Sequence, residues 1–461
     1  MQYLGSSGPG LRRQFYKYLI PSIGAMWFFS IYTMVDGIFV GQGVGPEALA
    51  AVNLSMPFIS TLFAIALLFS VGGSTLITYY LGTGDYKRSN RIFTSTLVLV
   101  SILGLTIAIL AFLNLNKLID LLGASSQTNK LVHDYLKIII IFSPFFILAY
   151  TMEVLVKADG NPSHSFYLVL ISAITNIVLD YVLVIKYSYG VTGAAYATGI
   201  AQFIACAGYF SHFLLGKSKL KITKPALGSR TIKSIIKLGF PESLTEFSGG
   251  FATFIFNYSI IKYLGHHAIA SFSVIMYMNN LVLSTMVAIN QGVQPLISFY
   301  HGNADAKCIK KLSKLTIKSA VFWSVLFFVI SRVFTSEIVS LFISKNNSEL
   351  FKMSVTGLKL YSLSFLIAGF NIIISGFFTA VKNSGSAMII SSLRGYVTIS
   401  FTLVFLPYLI GSNGIWLSSL VSEFITIILS ILILQHDLPE LRASLVRMRK
   451  SRKLKPKIEV N

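Results

Sequence analysis

Long apolar runs, separated by short polar joints, set the pattern of this chain. They lie near 14–40, 47–81, 92–114, 131–157, 163–186, 191–215, 232–262, 267–300, 315–343, 352–381, 385–410 and 413–435. Inside them apolar residues do not alternate with polar ones, as Leu97 to Leu113 illustrates. A half-buried strand would alternate, and a membrane-spanning strand needs only ~10 residues, so the runs predict helices rather than a barrel. Each is long enough for the ~20 apolar residues that cross a bilayer core. Several are longer and must tilt, kink or project beyond the lipid. The pattern predicts an all-α membrane protein with about twelve transmembrane helices.

Composition agrees. Of 461 residues, 54% are hydrophobic and only 12% charged, and mean hydropathy is +0.72. Soluble folds carry roughly 25% charged residues. The net charge of +21 would suggest nucleic acid in a soluble protein. Here the basic residues sort by loop instead, so no nucleic-acid partner is expected. Arg12, Arg13 and Lys17 precede the first run, and Lys87, Arg88 and Arg91 follow the second. Lys217, Lys219, Lys221, Lys224, Arg230, Lys233 and Lys237 fill the sixth joint, Lys307 to Lys314 follow the eighth run, and Arg442 to Lys457 form a tail. The intervening joints around Gly43, Ser188 and Gly411 are nearly uncharged. Lys and Arg accumulate on the cytoplasmic side, so both termini are expected there. Arg12-Arg13-Gln14-Phe15 reads as part of that positive flank rather than as an export signal. Cys206 falls in an apolar run and Cys308 in a basic joint, which gives neither a disulfide framework nor metal spacing.

The two halves repeat each other. Pro21 matches Pro241, Gly45 to Ala50 matches Gly265 to Ala270, and Tyr80 to Asp85 matches Tyr300 to Asp305, all at a shift of 220. A later block, Lys157 and Gly160 with Lys382 and Gly385, has a shift of about 225, and Gly193 matches Gly414. The expected domains are a six-helix lobe over 1–215, a basic linker over 216–231, a second six-helix lobe over 232–436 and a basic tail over 437–461. An even number of spans per half makes this a parallel repeat, as in many secondary transporters.

Acids inside spans are costly and need a reason. Asp36, Glu153 and Asp180 all lie in apolar runs. Glu153 has Lys157 one turn away, whereas Asp36 and Asp180 have no basic neighbour at that spacing. The repeat places Phe256, Phe378, Phe401 and Phe405 opposite Asp36, Glu153, Asn176 and Asp180. Polar groups are thus confined to the first half, and they predict one cation site there. Asn176 and Asp180 are four residues apart on one helix face, and Thr198 adds a hydroxyl. Oxygen donors of this kind suit a hard cation such as Na⁺, and carboxylates of this kind also carry protons. Trp27, Tyr32 and Glu246 are candidates for a substrate cavity, with cation–π contact available to organic cations. Glu242 and Glu246 also fit a solvated helix start. Arg394 is expected to snorkel or to pair, Asn371 is of similar standing, and Glu423 stands as an isolated acid. Pro21 is a candidate gating kink, fifteen residues before Asp36 in the same run. No nucleotide loop, zinc-protease motif or other enzyme signature emerges, and no cofactor is expected.

These residues resemble the multidrug and toxic compound extrusion (MATE) family over essentially the whole chain. The motifs are Val35 to Gly41 with Gly45 to Ala51, Gly82 to Asp85, Gly160-Asn161-Pro162, and Asn176 to Asp180 followed by Gly190 to Ala195. The resemblance implies two six-helix lobes around a V-shaped cavity. It implies antiport, in which organic cations leave as H⁺ or Na⁺ enters. It places the first-lobe (DinF-like) coupling site on Asp36, Asn176, Asp180 and Thr198, with Glu153 where asparagine is common, and the bending proline on Pro21. A second branch keeps its essential acids in the second lobe, where this chain has Asn371. The implied setting is a bacterial cell membrane, and the implied assembly a monomer. A lipid-linked oligosaccharide flippase of the same superfamily is the alternative. It requires cations inside the spans, for which only Arg394 and Arg332 qualify.

Overall fold

Proline and glycine punctuate the apolar runs, and the helices of the computed structural model begin and end at that punctuation. The structure describes residues 9–215, 218–343 and 348–453. Lys217 and the basic tail beyond residue 453 lie outside the described residues. Twelve long helices follow in order among the described residues: α1 Pro9–Gly43, α2 Pro46–Thr83, α3 Tyr86–Leu113, α4 Asn129–Ala158, α5 Pro162–Lys186, α6 Gly190–Leu214, α7 Ser229–Leu264, α8 Ile269–Gly302, α9 Ala306–Val333, α10 Ser348–Ala380, α11 Ser384–Ile410 and α12 Ser412–Lys453. Pro162 sits in the first turn of α5, where a missing N–H costs nothing. Asp305 caps α9 by accepting from the Cys308 N–H at 3.0 Å. Cys308 is therefore in the first turn of a helix and buried, not in a loop as the basic joint suggested.

Eleven of these helices are long and apolar enough to cross a membrane. The expected twelfth, α7, reaches 36 residues, but Lys233, Lys237, Glu242 and Glu246 keep its composition more polar. At 1.5 Å per residue even the 25-residue α5 and α6 exceed the ~30 Å hydrocarbon core.

The repeat is visible in the helix boundaries. α3 and α9 are both 28 residues long and start 220 residues apart, and each is followed by a short helix, Leu115–Leu121 or Thr335–Ser340. The later block needs correction. Gly160 (φ 99°) and Lys382 (φ 65°) occupy the same left-handed position, each followed by the asparagine that precedes α5 or α11. That is a shift of 222, not about 225. The counterpart of Glu153 becomes Ser375, and those of Asn176 and Asp180 fall within a residue of Thr398 and Thr402. The second half thus has hydroxyls rather than aromatic rings there. It still has no carboxylate at those places.

The chain divides into two compact units. One comprises residues 17–77 and 87–250, with α4, α5 and α6 whole and α3 from Lys87 onward. In it α4 lies along α6, whose run of Ala194, Ala195, Ala197, Gly199 and Ala201 lets the helices approach closely. The segment after α6 is not a free tether. Backbone N–H groups of Lys219 and Leu220 donate to Asp159 Oδ1 (2.9 and 3.2 Å). Those of Lys221, Thr223 and Ala226 donate to Asn90, Thr94 and Ser95 on α3. Asp159 Oδ2 also meets His212 Nε2 at 2.9 Å.

The other unit comprises residues 9–16, 78–86 and 251–453 of the described chain. Its core includes Phe256 stacked on Phe272 at 4.9 Å. Here the last turns of α2 and α8 cross backbone to backbone. A Cβ on Gly82 would lie 2.0 Å from the Phe299 carbonyl oxygen, and one on Gly302 would lie 2.1 Å from that of Tyr79. Only glycine fits at either place, and the reciprocity is what two repeats meeting each other produce.

Candidate functional site

The candidate site lies within one unit, on α1, α4, α5 and α6. Helical spacing prepares it. Tyr32 and Asp36 share a face of α1, Asn176 and Asp180 a face of α5, and Thr198 and Gln202 a face of α6. α5 changes to a π-helical stretch, Tyr181–Lys186, directly after Asp180. Such stretches are rare and recur at functional sites.

Burial is nearly complete. Asn176 and Asp180 have 0% exposure and Asp36 has 9%. Asn176 Nδ2 donates to Thr198 Oγ1 at 3.3 Å. The carboxyl groups of Asp36 and Asp180 stand within hydrogen-bond reach of each other. Both are acceptors when ionised. Among the described residues no donor reaches Asp36 Oδ1, Asp180 Oδ1, Asp180 Oδ2 or Asn176 Oδ1. Buried polar atoms are normally satisfied, and each exception calls for an explanation. Four acceptor oxygens without donors, gathered from α1 and α5, form a cluster that a proton or a hard cation satisfies.

Tyr32 is buried and its hydroxyl bonds the Gln202 side chain. Tyr135 on α4 is also buried and within electrostatic reach of Asp36, Asp180 and Tyr32. Gln202 and Tyr135 are additions to the sequence-based set. The four-residue spacing from Thr198 was a signal for Gln202, whereas nothing in the sequence marked Tyr135.

Glu153 is within electrostatic reach of the same Tyr32, but it has a partner of its own. Lys157 Nζ meets Glu153 Oε1 at 2.7 Å, and both are well buried, so the acid's charge is compensated within its own helix. Trp27 on α1 is half-buried, and Glu246 on α7 is exposed. Pro21 lies inside α1, which continues past it although the residue supplies no N–H to the helix.

The other unit has its own polar group. Glu423 is not isolated: Arg394 Nε donates to its Oε1 at 2.9 Å and Asn371 Nδ2 to its Oε2 at 2.7 Å. Ser430 Oγ in turn donates to Asn371 Oδ1 at 3.2 Å. Arg394 lies in a second π-helical stretch, Leu393–Val397. This network, unlike the Asp36–Asp180 cluster, has donors for its acceptors.

The comparisons with known proteins agree with the fold. A family model described as MatE matches residues 21–182 and 241–404. A multidrug export protein MepA of Staphylococcus saprophyticus is 28% identical over 87% of this chain and 89% of its own. One of Staphylococcus haemolyticus is 28% identical over 91% and 92%. Among solved structures, a multidrug resistance MATE family transporter of the MOP superfamily, in an outward-facing conformation, superimposes with a TM-score of 0.89 at 20% identity, covering 95% of this chain and 100% of that one. A MATE in complex with MaL6 gives 0.89 at 21%, covering 94% and 97%. With eleven apolar membrane-length helices and a family model matching both halves, this chain is a multi-pass membrane protein that belongs to the MATE family.

Proposed function

We propose that the protein is a cation-coupled antiporter of the first-lobe (DinF-like) kind, exporting organic cations and several classes of drug. The observation that carries this reading is the cluster of donor-free oxygens on Asp36, Asn176 and Asp180. Relatives named as multidrug export proteins over most of their length support the export role. In this reading H⁺ or Na⁺ occupies the space bounded by the two carboxylates, with Asn176 and Thr198 as neutral oxygen ligands. Glu153, held by Lys157, sets the charge nearby rather than binding the ion directly. Trp27, Tyr32 and Glu246 contribute to substrate contact, and Pro21 absorbs the bending of α1. Both termini face the cytoplasm of a bacterial cell membrane.

Coupling follows from differential binding. An ion shifts a conformational equilibrium only as far as its affinities for the two states differ. Two facing carboxylates repel in a medium of low dielectric, and an ion between them removes that repulsion. A state that brings Asp36 and Asp180 together is therefore favoured by the ion and disfavoured without it. The flippase alternative needs uncompensated cations within the spans to hold a pyrophosphate. Arg394 is taken up by Glu423, which favours the antiporter.

The test is efflux of ethidium from proteoliposomes, with a Na⁺ gradient or a pH gradient imposed separately. The wild type should respond to one gradient, and Asp36→Asn and Asp180→Asn should abolish the response while still inserting as folded protein. Wild-type efflux from either variant would overturn the proposal.

A further inference from the structure

The second-half unit contains a large groove that the transport reading does not use. It has a volume of about 1270 Å³ and lies among α8, α9, α10 and the C-terminal part of α12. Its walls are mostly apolar, including Ile297, Ile373, Phe377, Ile431, Leu438 and Leu441, with Asn290, Gln294 and Thr316 as polar exceptions. Its mouth carries Lys307, Lys310 and Lys314 from α9 and Arg442 and Arg449 from α12. The one acid there, Asp305, already caps α9. Among the described residues none of the five cations forms an ion pair with a carboxylate.

The internal repeat shows what the same surface does in the other half. At the shift of 220, Lys310 and Lys314 correspond to Asn90 and Thr94. Those two side chains accept backbone N–H groups of the segment after α6, at 3.2 and 2.9 Å. In the first half this face of α3 is thus covered by chain. In the second half the acceptors are replaced by lysines, which have only donors, and α12 continues as helix beside an open groove. A lysine pair cannot receive backbone N–H groups. It calls for an anion instead.

We propose that this groove binds an anionic phospholipid, its acyl chains along the apolar walls and its phosphate among Lys310, Lys314 and Arg442. The volume exceeds the ~300–1,000 Å³ of ordinary small-molecule pockets, and apolar walls under a charged mouth match an amphiphile. The cations are on the side that the charge bias assigns to the cytoplasm, where anionic headgroups attract basic clusters. The same charge repels cationic drugs, so the groove is not a second drug site. It also repels the chain's own tail, where Lys455 and Lys457 outnumber Glu459.

The experiment uses the full chain in nanodiscs of phosphatidylcholine with phosphatidylglycerol, followed by native mass spectrometry of the released protein. Wild type should retain phosphatidylglycerol in preference to phosphatidylcholine. Lys310→Gln/Lys314→Gln/Arg442→Gln should lower that retention roughly tenfold or more, given the attraction contributed by each cation. Ile431→Trp, which fills the groove without changing charge, should lower it as well. Lys87→Gln/Lys233→Gln/Lys237→Gln removes the same charge elsewhere and should leave it unchanged. Near-UV circular dichroism and monodispersity confirm folding of each variant. Equal loss in the control triple would mean general surface attraction and overturn the proposal. So would retention that survives Ile431→Trp, or a wild type that does not discriminate between the two lipids.

Discussion

Replacing Asp180 by asparagine should stabilise the protein while removing its response to the coupling ion. Asp180 is fully buried, and among the described residues neither of its oxygens has a donor. It faces Asp36, which has a donor-free oxygen of its own. Two full charges at ~4 Å repel by about 4 kcal/mol at an effective dielectric near 20. The substituted side chain removes one charge and offers an NH₂ donor to Asp36, a hydrogen bond to a charged group worth ~1.5–3 kcal/mol. Protonation or an ion relieves part of the repulsion in the wild type, so the net gain should be about 1–3 kcal/mol. That corresponds to a rise in Tm of several degrees, at roughly 2–4 °C per kcal/mol for a large domain. The assay is a thermal scan by intrinsic fluorescence in one detergent, across pH 5 to 8, with and without Na⁺. The wild-type Tm should depend on pH or on Na⁺, and the Asp180→Asn Tm should be higher and insensitive to both. Asp36→Asn should act similarly, and the double variant should gain less than the sum because both remove one repulsion. A lower Tm for Asp180→Asn, or an undiminished ion response, would refute the reasoning.

Three other sites test packing and pairing elsewhere within the two units. Gly302→Ala places a Cβ about 2.1 Å from the Tyr79 carbonyl oxygen, so α2 and α8 must separate; yield and Tm should fall by an overpacking cost of ~1–3 kcal/mol or more. Gly250→Ala, which meets open space, is its control and should be neutral or slightly stabilising. Glu423→Ala leaves the half-buried Arg394 without its partner and should cost ~3 kcal/mol, near the low end for a broken buried pair, whereas Glu423→Gln should cost less, as read by thermal scans. Asp159→Ala removes the acceptor for the Lys219 and Leu220 N–H groups and the partner of His212; proteolysis and hydrogen exchange within 218–226 should accelerate while the spans stay protected.

Much of the site was legible because its parts are local. Acids in apolar runs announce themselves, and four-residue spacing puts Asn176 beside Asp180 without knowledge of any other helix. Proximity across helices was not legible in this way. Tyr135 is one tyrosine among many in the sequence, and only the packing of α4 against α6 carries it to the carboxylates. Glu423 looked isolated because its partners, Arg394 and Asn371, are 29 and 52 residues away. The later repeat register failed for a related reason. Matching glycine to glycine ignored that Lys382 takes the left-handed backbone position which glycine holds at 160.

Sequence alone determined the helical membrane class, the internal repeat and the confinement of these candidate acids to the first half. Those features follow from hydropathy, spacing and charge, which act within a few turns of chain. The tertiary structure decided which acids have partners. It paired Glu423 with Arg394 and Asn371, and among the described residues it left Asp36 Oδ1 and both Asp180 oxygens without donors, whereas the Glu153–Lys157 pair is one that four-residue spacing already offered. A buried charge is set by what surrounds it in three dimensions, and one dimension of sequence specifies only its neighbours along a helix.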